Sequence, residues 1–347
     1  MSVRRLLAVT LAAASCGLAA ALPGTVGAAP AYAGTVTTAH PGDNLQDLMF
    51  ALRPGDVLKL APGTYNVGTI RVAEHRGTSG APITVTAADP SNRPLIVGTI
   101  RLLDADYWRV SKLRVKAGVM GAEALWIAGG TGWIVSDNEF FDSRVTGGYS
   151  NVTIASSTKS SPRGFRFAYN CVHNAGKTTR PNQDHNIYVN FAGNSSTGGM
   201  LDHNLIFDHP NGVGVKLGNG GQIGALGPWG VKVENNTIIE GGRQILLHGN
   251  VRNNTIKGNL LGSSRAGFSK SPQTTIVYVN KVTTKSNRME KNYMFRASMS
   301  VFDLDKSLVL GTGSKLSGFP SLSGVGSCAA YKTPAWFAYG RYGNGRY

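Results

Sequence analysis

The chain has 347 residues, a formal net charge of +16 and 45 glycines. This length allows one or two domains or a single elongated solenoid, and the glycine content favours short strands joined by turns over long helices. The positive charge favours an anionic polymer as partner. Because the basic residues are scattered and no nucleic-acid motif is recognisable, we expect no nucleic-acid partner.

Residues 1–33 are typical of a secretory signal peptide. Arg4 and Arg5 precede an apolar stretch from Leu6 to Ala21, and Ala31-Tyr32-Ala33 forms a plausible cleavage site. No second apolar run is long enough to cross a membrane. We therefore expect a secreted, extracellular protein with no membrane partner, and a monomer.

A short helix is predicted at the start of the mature chain, between Asp43 and Leu52. Its apolar residues Leu45, Leu48 and Met49 have helical spacing, and Asn44 is a possible N-cap. Such a helix would cover the open end of a stack of strands, where backbone groups otherwise stay unpaired.

A repeated Asn is the main signal for the region 34–310. It stands between short β-prone runs, in steps of 32, 34, 32, 18 and 38 residues. This pattern is typical of a solenoid whose coils stack because one coil cannot bury its apolar face alone. Asn tolerates the left-handed backbone of a corner, and its amide can bond to the Asn of the next coil. The repeated residues are Asn138, Asn170, Asn204, Asn236, Asn254 and Asn292.

The C-terminal region 311–347 differs in composition, being rich first in Gly and Ser and then in aromatic residues. Aromatic and Arg side chains can stack on sugar rings, but we expect this tail to pack on the solenoid or cap its far end. The mature chain keeps two cysteines, Cys171 and Cys328. They could pair in an exported protein, or Cys171 could be a buried apolar group at a repeat corner; the sequence leaves both open.

Two N-terminal segments, 54–65 and 77–87, resemble the first coils of secreted right-handed parallel β-helix proteins. The likeness is strongest to the polysaccharide lyases that include chondroitinase B and alginate lyases. It spans most of residues 41–262, and includes a lysine-bearing strand ending at Lys216 and the Asn235-Asn236-Thr237 corner. The resemblance implies a right-handed parallel β-helix that cleaves a uronic-acid-containing polysaccharide by β-elimination.

The chain departs from that family at two places. Lys216 matches the catalytic lysine, but Leu247 stands where the family has an arginine. His209 and Asn211 stand where acidic residues would hold calcium, and neutral ligands hold a hard cation poorly. We therefore expect no cofactor, and activity that does not depend strictly on calcium.

Strand alternation predicts which side chains face outward. It places Tyr188, Lys216 and His248 in one row across three adjacent coils, about 10 Å long. Such a row suits β-elimination at a uronic acid, in which Lys or His removes a proton and Tyr protonates the leaving oxygen. His185, oriented by Asp184, is a further candidate. The predicted catalytic residues are Lys216, Tyr188, His248 and His185.

Further groups near this row are predicted to bind substrate. An amide or a cation can hold the uronate carboxylate. Trp229, in the Gly-rich insertion 218–230, could stack on a sugar or only pin its loop, and a basic loop could steer an anionic chain. The predicted binding residues are Asn186, Asp184, Trp229, Gln244, Arg180 and Lys177.

Two other classes of protein remain possible on this fold. A glycoside hydrolase needs two carboxylates at a defined separation, and the central outward positions are not acidic. A non-catalytic polysaccharide-binding protein would account for the missing arginine and calcium ligands.

Overall fold

The computed structural model describes residues 34–118, 123–143, 150–175, 184–190, 198–218, 226–264, 277–280, 286–295, 308–310, 315–316 and 328. The predicted signal peptide, the predicted binding residues Lys177 and Arg180, and most of the predicted tail lie outside these residues. Within the described part of the chain, no helix is long and apolar enough to cross a bilayer.

All strand pairs of the described residues are parallel, and each coil adds one strand to each of two large sheets or crosses between them. The first sheet contains β1 (Val36–Ala39), β2 (Val57–Leu60), β4 (Ile83–Ala87), β6 (Trp108–Ser111), β9 (Ile134–Ser136), β12 (Phe165–Ala168), β15 (Gly199–Asp202), β19 (Val231–Glu234), β22 (Thr255–Lys257), β25 (Asn287–Glu290) and β27 (Leu308–Leu310). We call this sheet face 1.

The second sheet turns a corner and so forms two faces. On face 2 lie β7 (Arg114–Lys116), β10 (Glu139–Phe141), β13 (Cys171–His173), β16 (Leu205–Phe207), β23 (Leu260–Ser264), β26 (Tyr293–Phe295) and β28 (Lys315–Leu316). On face 3 lie β8 (Leu125–Ala128), β11 (Ser150–Ala155), β14 (His185–Asn190), β17 (His209–Gly218) and β24 (Val277–Asn280). The long strands β3 (Thr64–Ala73), β5 (Leu95–Leu103) and β20 (Thr237–His248) run from face 2 into face 3. A separate pair joins β18 (Leu226–Trp229) to β21 (Asn250–Arg252).

The apolar side chains of successive coils stack at the same inward position. On face 1 one such column is fully buried and continuous through seven coils. Since every coil repeats the position, the column forms one unbroken core, and the predicted right-handed parallel β-helix is confirmed. The column consists of Val110, Val135, Phe167, Leu201, Val233, Ile256 and Met289.

A ladder of buried Asn amides runs along the corner between face 1 and face 2. Each Nδ2 donates to the Oδ1 of the next Asn at 2.9–3.2 Å. The predicted amide stacking is therefore confirmed. The left-handed backbone, however, belongs to the residue before the Asn, such as Tyr169 at φ 57° or His203 at φ 56°. The ladder consists of Asn138, Asn170, Asn204, Asn236, Asn259 and Asn292.

The prediction for Asn254 is wrong. Asn259 takes the expected place in the ladder, while Asn254 bonds to Asn287 at 2.9 Å and accepts from the backbone of Val231. It lies at a different corner, because it precedes the face 1 strand β22, whereas Asn236 follows the face 1 strand β19.

The predicted N-terminal helix is present as α1, Leu45–Ala51, with Asn44 accepting from the backbone N–H of Asp47. Leu45 and Met49 are buried in the core. The Gln46 amide bonds to both the backbone N–H and the carbonyl of Arg71, on the strand β3 that ends the second sheet. The helix thus satisfies part of a free sheet edge, as a cap should.

Cys171 and Cys328 form a disulfide, which resolves the alternatives that the sequence left open. Cys171 is also buried, beside Leu205, Phe207 and Ile239 on the outer side of face 2, and Cys328 packs against this group. The disulfide therefore ties the C-terminal region to an apolar stripe that lies outside the main core.

Candidate functional site

Tyr188 and Lys216 lie side by side on the outward row of face 3. They are paired in register, and Lys216 Nζ lies 4.3 Å from the centroid of the Tyr188 ring. Both side chains are half-buried. The predicted neighbour relation between these two residues is therefore present in the structure.

The environment of Lys216 makes the neutral amine more accessible than it is for an ordinary lysine. Burial lowers the pKa of its ammonium from 10.5 to about 8. No carboxylate of the described residues forms an ion pair with it, while the face of the Tyr188 ring favours the charged form and opposes the shift. A lysine with such a pKa is neutral often enough near pH 8 to accept a proton.

His248 does not occupy the predicted row. The residue in register with Lys216 is Leu246, and His248 pairs with Gly218. A Cβ on Gly218 would lie 3.3 Å from Lys216 Cε and 3.4 Å from His248 Cβ, so both side chains border the space above this glycine. The prediction failed because β17 and β20 pair through an irregularity between His209 and Val213, which alternation within single strands cannot reveal.

His185 lies beneath Tyr188, with an exposed fraction of only 2%. The two rings meet edge to face with centroids 5.6 Å apart, and His185 Nδ1 has no hydrogen-bond partner among the described residues. Burial holds the imidazole pKa well below 6.5, and the charges of Lys216, His209 and Arg243 lower it further. His185 is therefore neutral at physiological pH and contacts the site from below.

Three predicted binding residues lie inside the protein. Asp184, Asn186 and Gln244 are fully buried. Asn186 accepts from Asn151 at 2.8 Å and donates to the carbonyl of Phe207, and Gln244 donates to a carbonyl in the next coil. The prediction that the two amides face outward is wrong, because both lie at the corner between faces 2 and 3, where simple alternation does not hold. They hold the corner together instead.

The expected orientation of His185 by Asp184 is also not found. His185 Nδ1 makes no hydrogen bond to Asp184, because this nitrogen has no partner in the described part of the chain. Asp184 is instead wholly enclosed. Asp184 therefore does not orient His185 through Nδ1.

Sequence reasoning missed two buried cations or potential cations, His209 and Arg243. His209 Nδ1 lies 3.3 Å from Asn186 Nδ2, and burial lowers the imidazole pKa to about 4. Any side chain at Gly241, its partner in the next coil, would collide with the His209 ring. Arg243 is buried, and its charge contributes to the low pKa of His185. An Arg directly after the Gly241-Gly242 pair was the available signal.

Trp229 lies on the small β18–β21 sheet, where it is paired with Arg252. The Arg252 guanidinium lies 5.4 Å from the centroid of its ring, and Trp229 is half-buried. No described ring or hydrogen-bond contact joins it to Tyr188 or Lys216. These contacts favour the alternative in which Trp229 fixes its loop.

The described residues around Lys216 do not fit a calcium site. His209 stands at one position where the family resemblance calls for an acid, and its ring is enclosed and close to an amide N–H donor. The one described group of three possible metal ligands is Cys171, His173 and Cys328, and its thiols are joined in the disulfide. Calcium prefers several oxygen ligands, and these residues do not supply them.

The sequence matches no family model and no curated protein. Solved structures do match. Pectate lyase Pel9A superimposes with a TM-score of 0.53 at 15% identity, over 85% of this chain and 82% of that one. A PL6 alginate lyase in complex with a trisaccharide superimposes with a TM-score of 0.51 at 13% identity, over 80% of this chain and 64% of that one. The shared feature is the parallel β-helix fold of these polysaccharide lyases.

Proposed function

We propose that this protein is a lyase that cleaves an anionic, uronic-acid-containing polysaccharide by β-elimination, with Lys216 as the base. The observation that carries the proposal is the half-buried Lys216, with its pKa near 8, beside Tyr188 on an outward row. The fold is one that polysaccharide lyases use. Neither feature alone would suffice, because folds host many activities.

The chemistry divides between these two side chains. The neutral Lys216 Nζ takes the proton from C5 of the uronic acid, and the electrons of that C–H bond form the C4–C5 double bond. The C4–O bond breaks as the Tyr188 hydroxyl donates its proton to the leaving oxygen. Proton return from Lys216 to Tyr188 restores both groups, so no other reactant is consumed.

Positive charge near the substrate makes the first step easier. The C5 proton becomes more acidic when the charge that develops on the adjacent carboxylate is stabilised. Arg243 is a permanent cation whose charge reaches His185 beneath the row. In this proposal the electrostatic field of Arg243 stabilises the charge that develops on the carboxylate. His185, which lies beneath Tyr188, is neutral and adds no charge there.

The proposal includes secretion and an anionic substrate. The N-terminal segment 1–33 has the sequence of a signal peptide. The disulfide between Cys171 and Cys328 favours an oxidising compartment. The net charge of +16 favours attraction of an acidic polymer, and we propose that the protein acts on it as a monomer without a cofactor.

A product screen tests the proposal. The purified protein is incubated with alginate, polygalacturonate, glucuronan and glycosaminoglycans, with Lys216→Ala as the inactive control. A lyase yields an unsaturated uronide, which absorbs in the ultraviolet, from at least one polymer. New reducing ends without that absorbance would indicate a hydrolase, and retention on a polymer without either signal would indicate a binding protein; both results overturn the proposal.

A further inference from the structure

The outward row of face 3 continues well beyond Tyr188 toward the N-terminal end of the solenoid. Each residue of this extended row is paired in register with the next one, so their side chains follow one line across the strands. The line begins with two arginines and ends at the candidate base. It consists of Arg71, Arg101, Trp126, Thr153, Tyr188 and Lys216.

Arg101, Trp126 and Glu123 form a cluster at the far end of this row. The Arg101 guanidinium lies over the Trp126 ring, 4.3 Å from its centroid. Arg101 Nη2 lies 3.7 Å from Glu123 Oε2, which is an ion pair but is too long for a hydrogen bond. One third of the Arg101 side chain is exposed, while Glu123 is buried. Glu123 thus holds Arg101 in place and leaves part of its guanidinium open to solvent.

The cluster does not satisfy its own polar atoms. Arg101 Nε and Trp126 Nε1 have no hydrogen-bond partner in the described part of the chain. Burial raises the pKa of Glu123, and its ion pair with Arg101 opposes that shift without cancelling it. Arg71, one coil farther out, is exposed, and only its backbone bonds to Gln46. The two arginines therefore present positive charge that no described carboxylate fully neutralises.

We propose that Arg71 and Arg101 form a distal subsite that binds a carboxylate of the same polysaccharide chain whose cleavage Lys216 performs. This inference rests on the proposed function. Arg101 lies four strand positions from Lys216, which corresponds to about 19 Å, or roughly four sugar residues. The Trp126 ring packs against the Arg101 guanidinium and restricts its motion. Thr153, which lies between the two ends of the row, is a small and buried side chain.

The distance determines how the subsite acts. Charges separated by more than about 8 Å are largely screened at physiological salt, so Arg101 cannot tune Lys216 through its field. Its contribution reaches the reaction only through a substrate long enough to touch both ends. The subsite should therefore change KM for long chains, while kcat and the reaction of short chains stay the same.

The test compares two classes of uronic-acid oligomer: those too short to span about 19 Å and those at least twice that length. Arg101→Gln should raise KM about tenfold for the long class and leave the short class unchanged. Because Arg101 also neutralises Glu123, Arg71→Gln serves as a second variant that leaves the cluster intact. Arg109→Gln, an exposed arginine on face 1, is the matched control and should change neither class.

Equal effects on both lengths, or no effect of either arginine variant on long chains, would overturn the subsite. Failure of the proposed function looks different, since the wild-type protein would then release no unsaturated product from any polymer. In that case the retention of the protein on the intact polymer still measures binding at the subsite. Arg101→Gln and Arg71→Gln should weaken retention and Arg109→Gln should not; unchanged retention in both variants overturns the inference.

Discussion

The Asn ladder and the outward row of face 3 both place polar side chains at the same position in successive coils, yet they differ in how these groups are satisfied. In the ladder, Asn204 donates to Asn236 and Phe167 and accepts from Asn170. On the row, Lys216 has a ring face as its neighbour, and its ammonium pKa falls to about 8. A row of polar side chains whose hydrogen bonds are all made indicates a structural role. A row that leaves a charged group poorly solvated indicates a functional site.

Loss of the base should give the largest effect. Lys216→Ala should lower kcat by about 10³-fold, because a positioned general base contributes roughly that much. The protein should remain folded and as stable as the wild type, since desolvation of the half-buried ammonium costs free energy that the substitution removes. Steady-state kinetics and thermal unfolding check this, with the exposed face 1 residue Lys232→Ala as the matched control. Near-full activity in Lys216→Ala would show that Lys216 is not the base and would contradict the proposed mechanism.

Breaking the ladder should instead change stability. Asn204→Ala leaves the carbonyl of Phe167 and the backbone N–H of Asn170 without their buried partner. We expect the free energy of unfolding to fall by about 3 kcal/mol, from several hydrogen bonds of about 1 kcal/mol each and the unpaired groups. Chemical denaturation measures it, and Asn66→Ala, an exposed Asn of β3, should cost far less. Equal losses of unfolding free energy in the two variants would mean that the ladder stabilises the fold no more than an exposed Asn does.

Acid should weaken the fold through His209. Its imidazole pKa is about 4 when folded and 6.5 in the ordinary case, so the unfolded chain binds a proton first as the pH falls. Stability is therefore lost between pH 6.5 and about 4, by about 3 kcal/mol from this residue. Buried His185 adds to the loss in the same direction.

Unfolding free energies at pH 7 and pH 4.5 check this prediction. His209→Gln should reduce the difference between the two values, because glutamine does not titrate. An equally large difference in the variant would assign the acid sensitivity to other groups.

Loss of the proton donor should have a smaller effect than loss of the base. Tyr188→Phe keeps the ring that faces Lys216 but removes the hydroxyl, so binding should persist while kcat falls about 10- to 100-fold. A rise in KM with unchanged kcat would show that Tyr188 only binds substrate. Comparison of kcat with KM on one polymer distinguishes the two roles.

Local sequence patterns predicted the elements whose cause is local. The spacing of Leu45, Leu48 and Met49 gave the capping helix, and the Asn step gave most of the corner ladder. Asn254 was misplaced because the Asn-Asn-Thr-Ile sequence occurs at two different corners, at 235–238 and 253–256. Only the pairing between coils tells these corners apart.

The site was harder to predict because it depends on register and burial between coils. Lys216 and Tyr188 were found because their strands pair without a shift between them. His248 was misplaced because β17 and β20 pair irregularly, and Asn186 because it lies at the corner where its strand begins. The burial of His209 depends on the absence of a side chain at Gly241, in the next coil along the solenoid.

The pH dependence of kcat/KM on a cleaved polymer tests the central claim most directly, because it reports the pKa of the base in the free enzyme. With Lys216 as the base, kcat/KM should rise with pH and level off above about 8. A profile that stays flat between about pH 6 and 9, or that levels off near the ordinary histidine pKa of about 6.5, would contradict the account.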